Sequence, residues 1–286
     1  MKILLTGSAG FTGFFFRKMA LAAGHEVVDL QSDLLQAEKL MAEVRDVQPQ
    51  AVVHLAGISY VGHESDSDFY SVNVIGAVNL LKAVAALPVP PLSVLLASSA
   101  NIYGNALNSP IDELQPPAPV NHYAASKAAM EFMAANFEDQ FPIIIARPFN
   151  YTGPGQAADF LIPKLVAYFK AKAPTIDLGN LHIEREFNDV RMVCAAYLAL
   201  LNRPVRKPAI EVFNICSGKT YTLQSVLDDL KRITGHVIDV KINPAFVRPH
   251  EVHKLCGNPQ KLQAATGPLP NYSLQDTLKF MLEALA

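Results

Sequence analysis

An α/β fold, in which a parallel sheet is covered by helices on both faces, is predicted from three observations. Short runs of β-branched residues and leucine alternate with longer helical patterns through the first half of the chain, and those runs are apolar throughout rather than at every second position. A glycine-rich segment joins the first such run to the first helical stretch. Half of the 286 residues are hydrophobic and 17% are charged, which supplies a large core and excludes disordered and fibrous classes.

Taken in order, strands are expected at 3–5, 27–30, 51–55, 94–97 and 143–146, with helices at 11–23, 35–44, 67–86 and 123–137 between them. After Arg147-Pro148 the pattern loosens into a Gly/Pro segment at 153–155, helices over 160–171, 193–201, 223–234 and 274–285, and a strand near 212–215. This second half predicts a smaller α/β lobe. The expected division is a nucleotide-binding core over 1–150 and a substrate lobe over 151–286, interleaved because 205–220 can return to extend the first sheet. No internal repeat appears, and the Pro-rich patch at 110–119 is the longest biased tract.

A net charge of −2 supplies no field that would recruit nucleic acid or anionic lipid, so a small-molecule partner is expected and any anion must be held by a local cluster. Cys194, Cys216 and Cys256 are widely spaced, odd in number and free of CxxC patterns, which points to reduced thiols and to no metal site. The first residues form no signal segment and no stretch approaches the ~20 apolar residues of a membrane span, so a cytoplasmic location is expected.

The glycine-rich segment is Thr6-Gly7-Ser8-Ala9-Gly10-Phe11-Thr12-Gly13, placed after the first strand and before the first helix. In that setting Gly7 permits the tight turn, Gly10 lets backbone approach a pyrophosphate, and Gly13 lets the helix pack on the strand while its N-terminal N–H groups face the anion. The fold class is therefore read as a Rossmann-type doubly wound parallel sheet with a smaller α/β C-terminal substrate lobe. Beyond the second strand, Asp29 and Asp33 are candidate anchors for the ribose and adenine of a dinucleotide, or else plain helix caps. No Lys or Arg lies between His25 and Glu38 to meet a 2′-phosphate, which leans toward NAD over NADP, with Arg17 still able to reach it.

Tyr123-Ala124-Ala125-Ser126-Lys127 opens a helical stretch, and its four-residue interval puts phenol and ammonium on one face. The ammonium is expected to draw the phenol, an ordinary weak acid of pKa about 10, toward the working range. Ser98-Ser99-Ala100-Asn101 follows an apolar strand, at the carboxyl edge where doubly wound sheets bind ligands. Ser99 as carbonyl polariser, Tyr123 as acid/base and Lys127 as electrostatic partner make a coherent hydride-transfer site.

Together, GSAGFTG, SSANIYG and YAASK resemble the extended short-chain dehydrogenase/reductase superfamily over nearly the whole chain. The resemblance implies catalytic roles for Ser99, Tyr123 and Lys127, and a structural role beside the cofactor for Asn73. It implies that Leu55, Ala56 and Gly57 at a strand end, with Ala9, Phe11, Thr12, Leu34, Ala97 and Pro148, line the cofactor. Segments 147–156, 179–191 and 248–252 look like the branch of GDP-mannose 4,6-dehydratase and GDP-4-keto-6-deoxy-D-mannose reductase. By that likeness Asn150, Arg185 and Arg248 hold a sugar-nucleotide diphosphate, Lys164 lies near the base, Glu251 bonds the ribose, and Ser59, Ser99 and Asn101 face the sugar. Guanidinium groups suit a pyrophosphate on physical grounds as well.

One departure bears on the reaction. The resemblance implies an acidic residue two places after the catalytic Ser/Thr in sugar-nucleotide dehydratases, and here that residue is Asn101, an amide unable to exchange protons near neutral pH. Reduction of the C4 ketone of a nucleotide-linked 4-keto-6-deoxy sugar by NAD(P)H is the expected activity, with GDP-4-keto-6-deoxy-D-mannose as substrate and GDP-D-rhamnose or GDP-6-deoxy-D-talose as product. A nucleotide-sugar 4-epimerase with retained NAD and a non-catalytic dinucleotide sensor are the alternatives. His122 stands where the family commonly has proline, as a cap-region residue or a substrate contact. A homodimer through the helices at 67–86 and 123–137 is what the family suggests.

Overall fold

The computed structural model describes residues 1–204, 208–246 and 254–284. Its first half alternates strand and helix: β1 (Lys2–Thr6), α1 (Phe11–Ala22), β2 (Glu26–Asp29), α2 (Ala37–Val47), β3 (Ala51–His54), α3 (Asp66–Tyr70), α4 (Ala77–Ala85), β4 (Ser93–Ala97), α5 (His122–Ala134) and β5 (Ile143–Pro148). The second half contains β6 (Tyr151–Thr152), α6 (Leu161–Lys170), β7 (Thr175–Leu178), β8 (Glu184–Arg185), β9 (Asn188–Asp189), α7 (Val190–Leu201) and β10 (Ile210–Ile215). It ends with β11 (Tyr221–Thr222), α8 (Leu223–Thr234), β12 (Asp239–Ile242), β13 (Lys254–Leu255), α9 (Gln260–Thr266) and α10 (Leu274–Ala284).

Six strands form one sheet in the order β10-β5-β4-β3-β1-β2, every neighbouring pair parallel. Side chains alternate across it. Ile3, Leu5, Val53 and Leu95 meet α1 and α7 on one face, while Leu4, Val52, Leu96 and Ile145 meet α2, α4 and α5 on the other. Coverage on both faces is why these strands read as unbroken apolar runs. Strand order reverses between β1 and β3, so their carboxyl ends open a crevice where such sheets take ligands.

A third apolar cluster, built from α6, α8 and α10 with the two-stranded parallel sheet β7-β12, forms the smaller lobe. Chain order does not separate the two bodies, because α7 packs under the large sheet and β10 pairs with β5 from Ile210↔Ile143 to Ile215↔Pro148. Among the described residues, no helix is long and apolar enough to cross a membrane.

The helix expected at 67–86 is interrupted. Between α3 and α4 the backbone runs as a π-helix over Ser71–Gly76, and Asn73 inside it is fully buried. Its Oδ1 accepts from the Ile58 N–H at 2.9 Å, and its Nδ2 donates to the Ile58 carbonyl at 3.1 Å and to Ser126 Oγ at 3.0 Å. The wider turn lets one polar side chain tie the loop after β3 to the middle of α5, the kind of local function that π-bulges serve.

Candidate active site

The site begins at the glycine loop. Gly7 has φ +73°, and a Cβ there would sit 2.6 Å from the Ala56 nitrogen; one on Gly13 would lie 2.1 Å from the Gly7 carbonyl oxygen. Both positions exclude any side chain because the loop is pressed between α1 and the end of β3. Gly10 is the N-cap of α1 without a side-chain cap, and no acidic residue occupies the first turn. The N–H groups of that turn therefore face the cleft with a partial positive charge, and a pyrophosphate fits this cradle. Thr6 Oγ1 accepts from the Ala56 N–H at 3.1 Å and bonds His54 Nδ1 at 2.8 Å, fixing the two strand ends together. Burial pushes the His54 imidazole down to about 3, so it is neutral.

One cleft of about 1360 Å³ runs from this loop to the smaller lobe. Gly7, Gly10, Phe11, Thr12 and Gly13 line its first end, and Leu55, Gly57, Ala97 and Pro148 its floor. Asp29 ends β2 beside the loop; Arg17 Nε reaches its Oδ2 at 3.1 Å, while its Oδ1 is buried with no partner. Asp33 Oδ1 accepts from the Leu35 N–H at 2.8 Å, which makes that side chain the cap of the turn before α2. Ala9 is exposed on the loop, Leu34 packs under Gly76, the Ala56 N–H bonds Thr6 Oγ1, and Asn73 holds the backbone of Ile58.

The middle of the cleft belongs to Ser99, Tyr123 and Lys127, which are 5%, 7% and 5% exposed. Asn121 caps α5 by accepting from the Ala124 N–H at 2.8 Å, which sets Tyr123 in the first turn. Ser99 caps the short 3₁₀ turn Ala100–Tyr103, its Oγ accepting from the Asn101 N–H at 3.1 Å. The same hydroxyl acts on the Tyr123 phenol, opposing the rise that burial causes. Lys127 Nζ donates to the Ala97 carbonyl at 2.9 Å, and a Cβ on Gly57 would be 3.2 Å from that nitrogen.

The electrostatics differ from expectation in one respect. The Tyr123 phenol is pushed up by burial, with only the Ser99 hydrogen bond opposing it. Lys127 does not bring it down, because the ammonium is turned to the Ala97 carbonyl and is itself lowered by burial to about 8, with Glu131 opposing the fall. At neutral pH the site therefore holds a protonated phenol beside a charged ammonium. His122, next to Tyr123, points away from the cleft: Tyr70 Oη lies 3.0 Å from its Nδ1 and Asp66 Oδ2 3.3 Å from its Nε2.

The cleft is also lined by Lys164 and Arg185 from the smaller lobe, by Asn150 just after β5, by Ser59 in the loop after β3, and by Asn101 close to Ser99. Lys164 Nζ is 5.2 Å from the centroid of the Phe246 ring, and Arg185 donates to the Glu184 carbonyl at 2.9 Å. Arg248 and Glu251 lie outside the described residues. Sequence reasoning did not identify Glu186, whose buried carboxylate accepts from the N–H groups of Gly257 at 2.7 Å and Ser217 at 2.9 Å. It clips three loops around Arg185; contacts so distant in sequence leave no local pattern.

The model of the GDP-mannose 4,6-dehydratase family matches residues 29–281. A GDP-6-deoxy-D-talose 4-dehydrogenase of Aggregatibacter actinomycetemcomitans is 35% identical over 93% of this chain and 92% of its own. A GDP-6-deoxy-D-mannose reductase of Pseudomonas aeruginosa is 31% identical over 98% of this chain and 96% of its own. Among solved structures, a provisional epimerase from Burkholderia cenocepacia J2315 superposes with TM-score 0.93 at 46% identity, covering 99% of this chain and 97% of that one. RMD from Pseudomonas aeruginosa, complexed with NADPH, superposes with TM-score 0.88 at 29% identity over 99% and 96%.

Proposed function

The chain belongs to the GDP-mannose 4,6-dehydratase family of extended short-chain dehydrogenases/reductases, and on that premise we propose that it reduces the C4 ketone of a GDP-linked 4-keto-6-deoxy sugar. GDP-4-keto-6-deoxy-D-mannose is the substrate and GDP-D-rhamnose or GDP-6-deoxy-D-talose the product. The observation that carries this reading is a single cleft with an anion cradle at one end, Ser99, Tyr123 and Lys127 at its middle, and Lys164 with Arg185 at the other. Two anionic ligands can thus meet with their reactive ends at the serine and the phenol.

When bound, a reduced nicotinamide dinucleotide supplies the hydride. The protein's own groups do the rest. Ser99 donates a hydrogen bond to the C4 oxygen, Tyr123 gives that oxygen its phenolic proton, and the Lys127 ammonium, held at the Ala97 carbonyl in the resting protein, turns from it to stabilise the phenolate left behind. Among the described cleft-lining residues the carboxylates are Asp159 and Asp177, both from the smaller lobe. With Asn101 beside Ser99, the described residues place no carboxyl group next to the serine to serve elimination of water, and reduction is favoured.

Asp29 supports NADH as the preferred reductant. Its buried, unpartnered Oδ1 is an acceptor for a ribose hydroxyl, and its charge repels a 2′-phosphate while it engages Arg17. Ile75 and Phe132, 53% and 68% exposed beside α4 and on α5, support a homodimer through those helices.

The test is incubation with NADH or NADPH and 4-keto-6-deoxy sugars linked to GDP, UDP or dTDP. Loss of nicotinamide absorbance with the GDP-linked ketone, faster with NADH, is expected; no consumption with any ketone removes the reductase reading. The Burkholderia cenocepacia structure favours a second reading, a 4-epimerase, which would carry tightly bound NAD and consume no added reductant.

The Lys127 amine also sets a pH dependence. Its pKa is lowered to about 8, so it is charged below that pH and neutral above it. Accordingly kcat/KM, which reports the free enzyme, is expected to fall as pH rises through about 8. A profile flat to pH 10 would contradict the role given to this ammonium.

A further inference from the structure

Beneath the catalytic group lies an ion pair that the reaction itself does not use. Glu131 follows Lys127 by one turn on α5, so both project from the same helical face. Arg147, near the end of β5, grips its carboxylate on both sides: Nε lies 3.0 Å from Oε1 and Nη2 lies 2.6 Å from Oε2. The two side chains are 7% and 9% exposed. Ser98 Oγ donates a short hydrogen bond to Glu131 Oε1, and Ser98 is the covalent neighbour of Ser99. Arg147 Nη1 donates to Tyr103 Oη at 2.9 Å, and Tyr103 Oη donates to Asn214 Oδ1 at 2.7 Å, which extends the bonding to the edge strand β10.

We propose that Glu131 and Arg147 form a positioning pair that ties the Lys127 ammonium to the serine ledge at the end of β4. This rests on the reductase reading only for its kinetic expression. A bare buried ion pair is weak evidence of stabilisation, since desolvation offsets attraction. Here, however, one carboxylate is shared among a guanidinium, the serine beside the catalytic one and the field of the catalytic amine. That sharing fixes β4, β5 and α5 relative to one another at the point where their side chains must converge.

Among the described residues, the groups that face Lys127 are few. From α5 they are Glu131 and, one turn earlier on the helix, Tyr123; from β3, His54, which is neutral; from the end of β4, the Ala97 carbonyl; from the loop after β3 and the π-helical stretch, uncharged Gly57 and Asn73. Glu131 is the anion among them, and it holds the amine's charge against burial.

The pair is tested with Glu131→Gln and with the double variant Glu131→Gln/Arg147→Met. The single change strands a buried guanidinium and can unfold the protein, whereas removing both charges together spares that penalty. Lys127 is followed in each protein by NMR of ¹⁵Nζ-labelled lysine across pH 6 to 10, beside the kcat/KM profile. Lys127 titration is expected to move to lower pH by about one unit in Glu131→Gln and by less, in the same direction, in the double variant, where the guanidinium's opposing charge leaves with the carboxylate, and kcat is expected to fall about tenfold while KM changes little. An unmoved titration in a folded double variant overturns the proposal, since a merely structural partner of Arg147 would leave Lys127 unaffected. Should no GDP-linked ketone be turned over by the unaltered enzyme, the reaction assignment fails while the NMR titration still decides the coupling.

Discussion

Replacing Tyr123 by phenylalanine is expected to lower kcat for ketone reduction by about a hundredfold to ten-thousandfold while cofactor affinity stays within about twofold, the usual span for loss of a positioned general acid. The ring itself is needed for packing: its centroid lies 6.1 Å from that of Phe69 and the residue is 7% exposed. Phenylalanine keeps that packing and removes only the hydroxyl. Burial holds the phenol proton well above neutral pH, so the side chain arrives at the Michaelis complex with a proton to give. Ser99 can still polarise the carbonyl, which leaves residual rather than zero activity. Stopped-flow hydride transfer and cofactor titration check both halves, and a variant as fast as the parent would remove Tyr123 from the chemistry.

Gly13→Ala is expected to act on binding instead. The added methyl would stand 2.1 Å from the Gly7 carbonyl oxygen and 2.7 Å from the Ser8 Cα, backbone atoms that no rotamer change can move aside. Relief requires α1 to shift away from the loop, which turns its first N–H groups off the pyrophosphate. Overpacking of this kind costs about 1–3 kcal/mol, and if the upper part of that falls on the bound state, Kd for the dinucleotide rises about a hundredfold. Calorimetric titration measures the affinity, and a lower Tm is expected alongside. Unchanged affinity would show that the cradle does not hold the diphosphate.

Much of this was legible in the sequence because the decisive features are local. Gly7, Gly10 and Gly13 lie within one strand-turn-helix, and Tyr123 and Lys127 within one helical turn. The buried strands announce themselves by apolar runs, β3 being buried at every residue. What escaped was non-local. β7 and β12 pair across more than sixty residues of sequence with no more than four residues each, and β6 with β9 or β8 with β11 are too short to carry any periodicity. The break at Ser71–Gly76 reflects Asn73 finding its partners at Ile58 and Ser126, which no helix propensity encodes. Lys127's failure to lower the phenol is likewise an orientation effect, since spacing fixes a face and not the carbonyl an amine chooses.

The return of Ile210–Ile215 to the margin of the large sheet governs how the polypeptide can be assembled. A ribosome that has made everything through Pro148 has synthesised five of the six strands, and once β5 has emerged its edge stays unpaired until some sixty further residues have followed it. During that interval an apolar margin is open to mispairing with a neighbouring chain. For the same reason the two lobes cannot be produced as independent fragments, because a cut at residue 150 strips one of its outermost strand and burdens the other with an orphan.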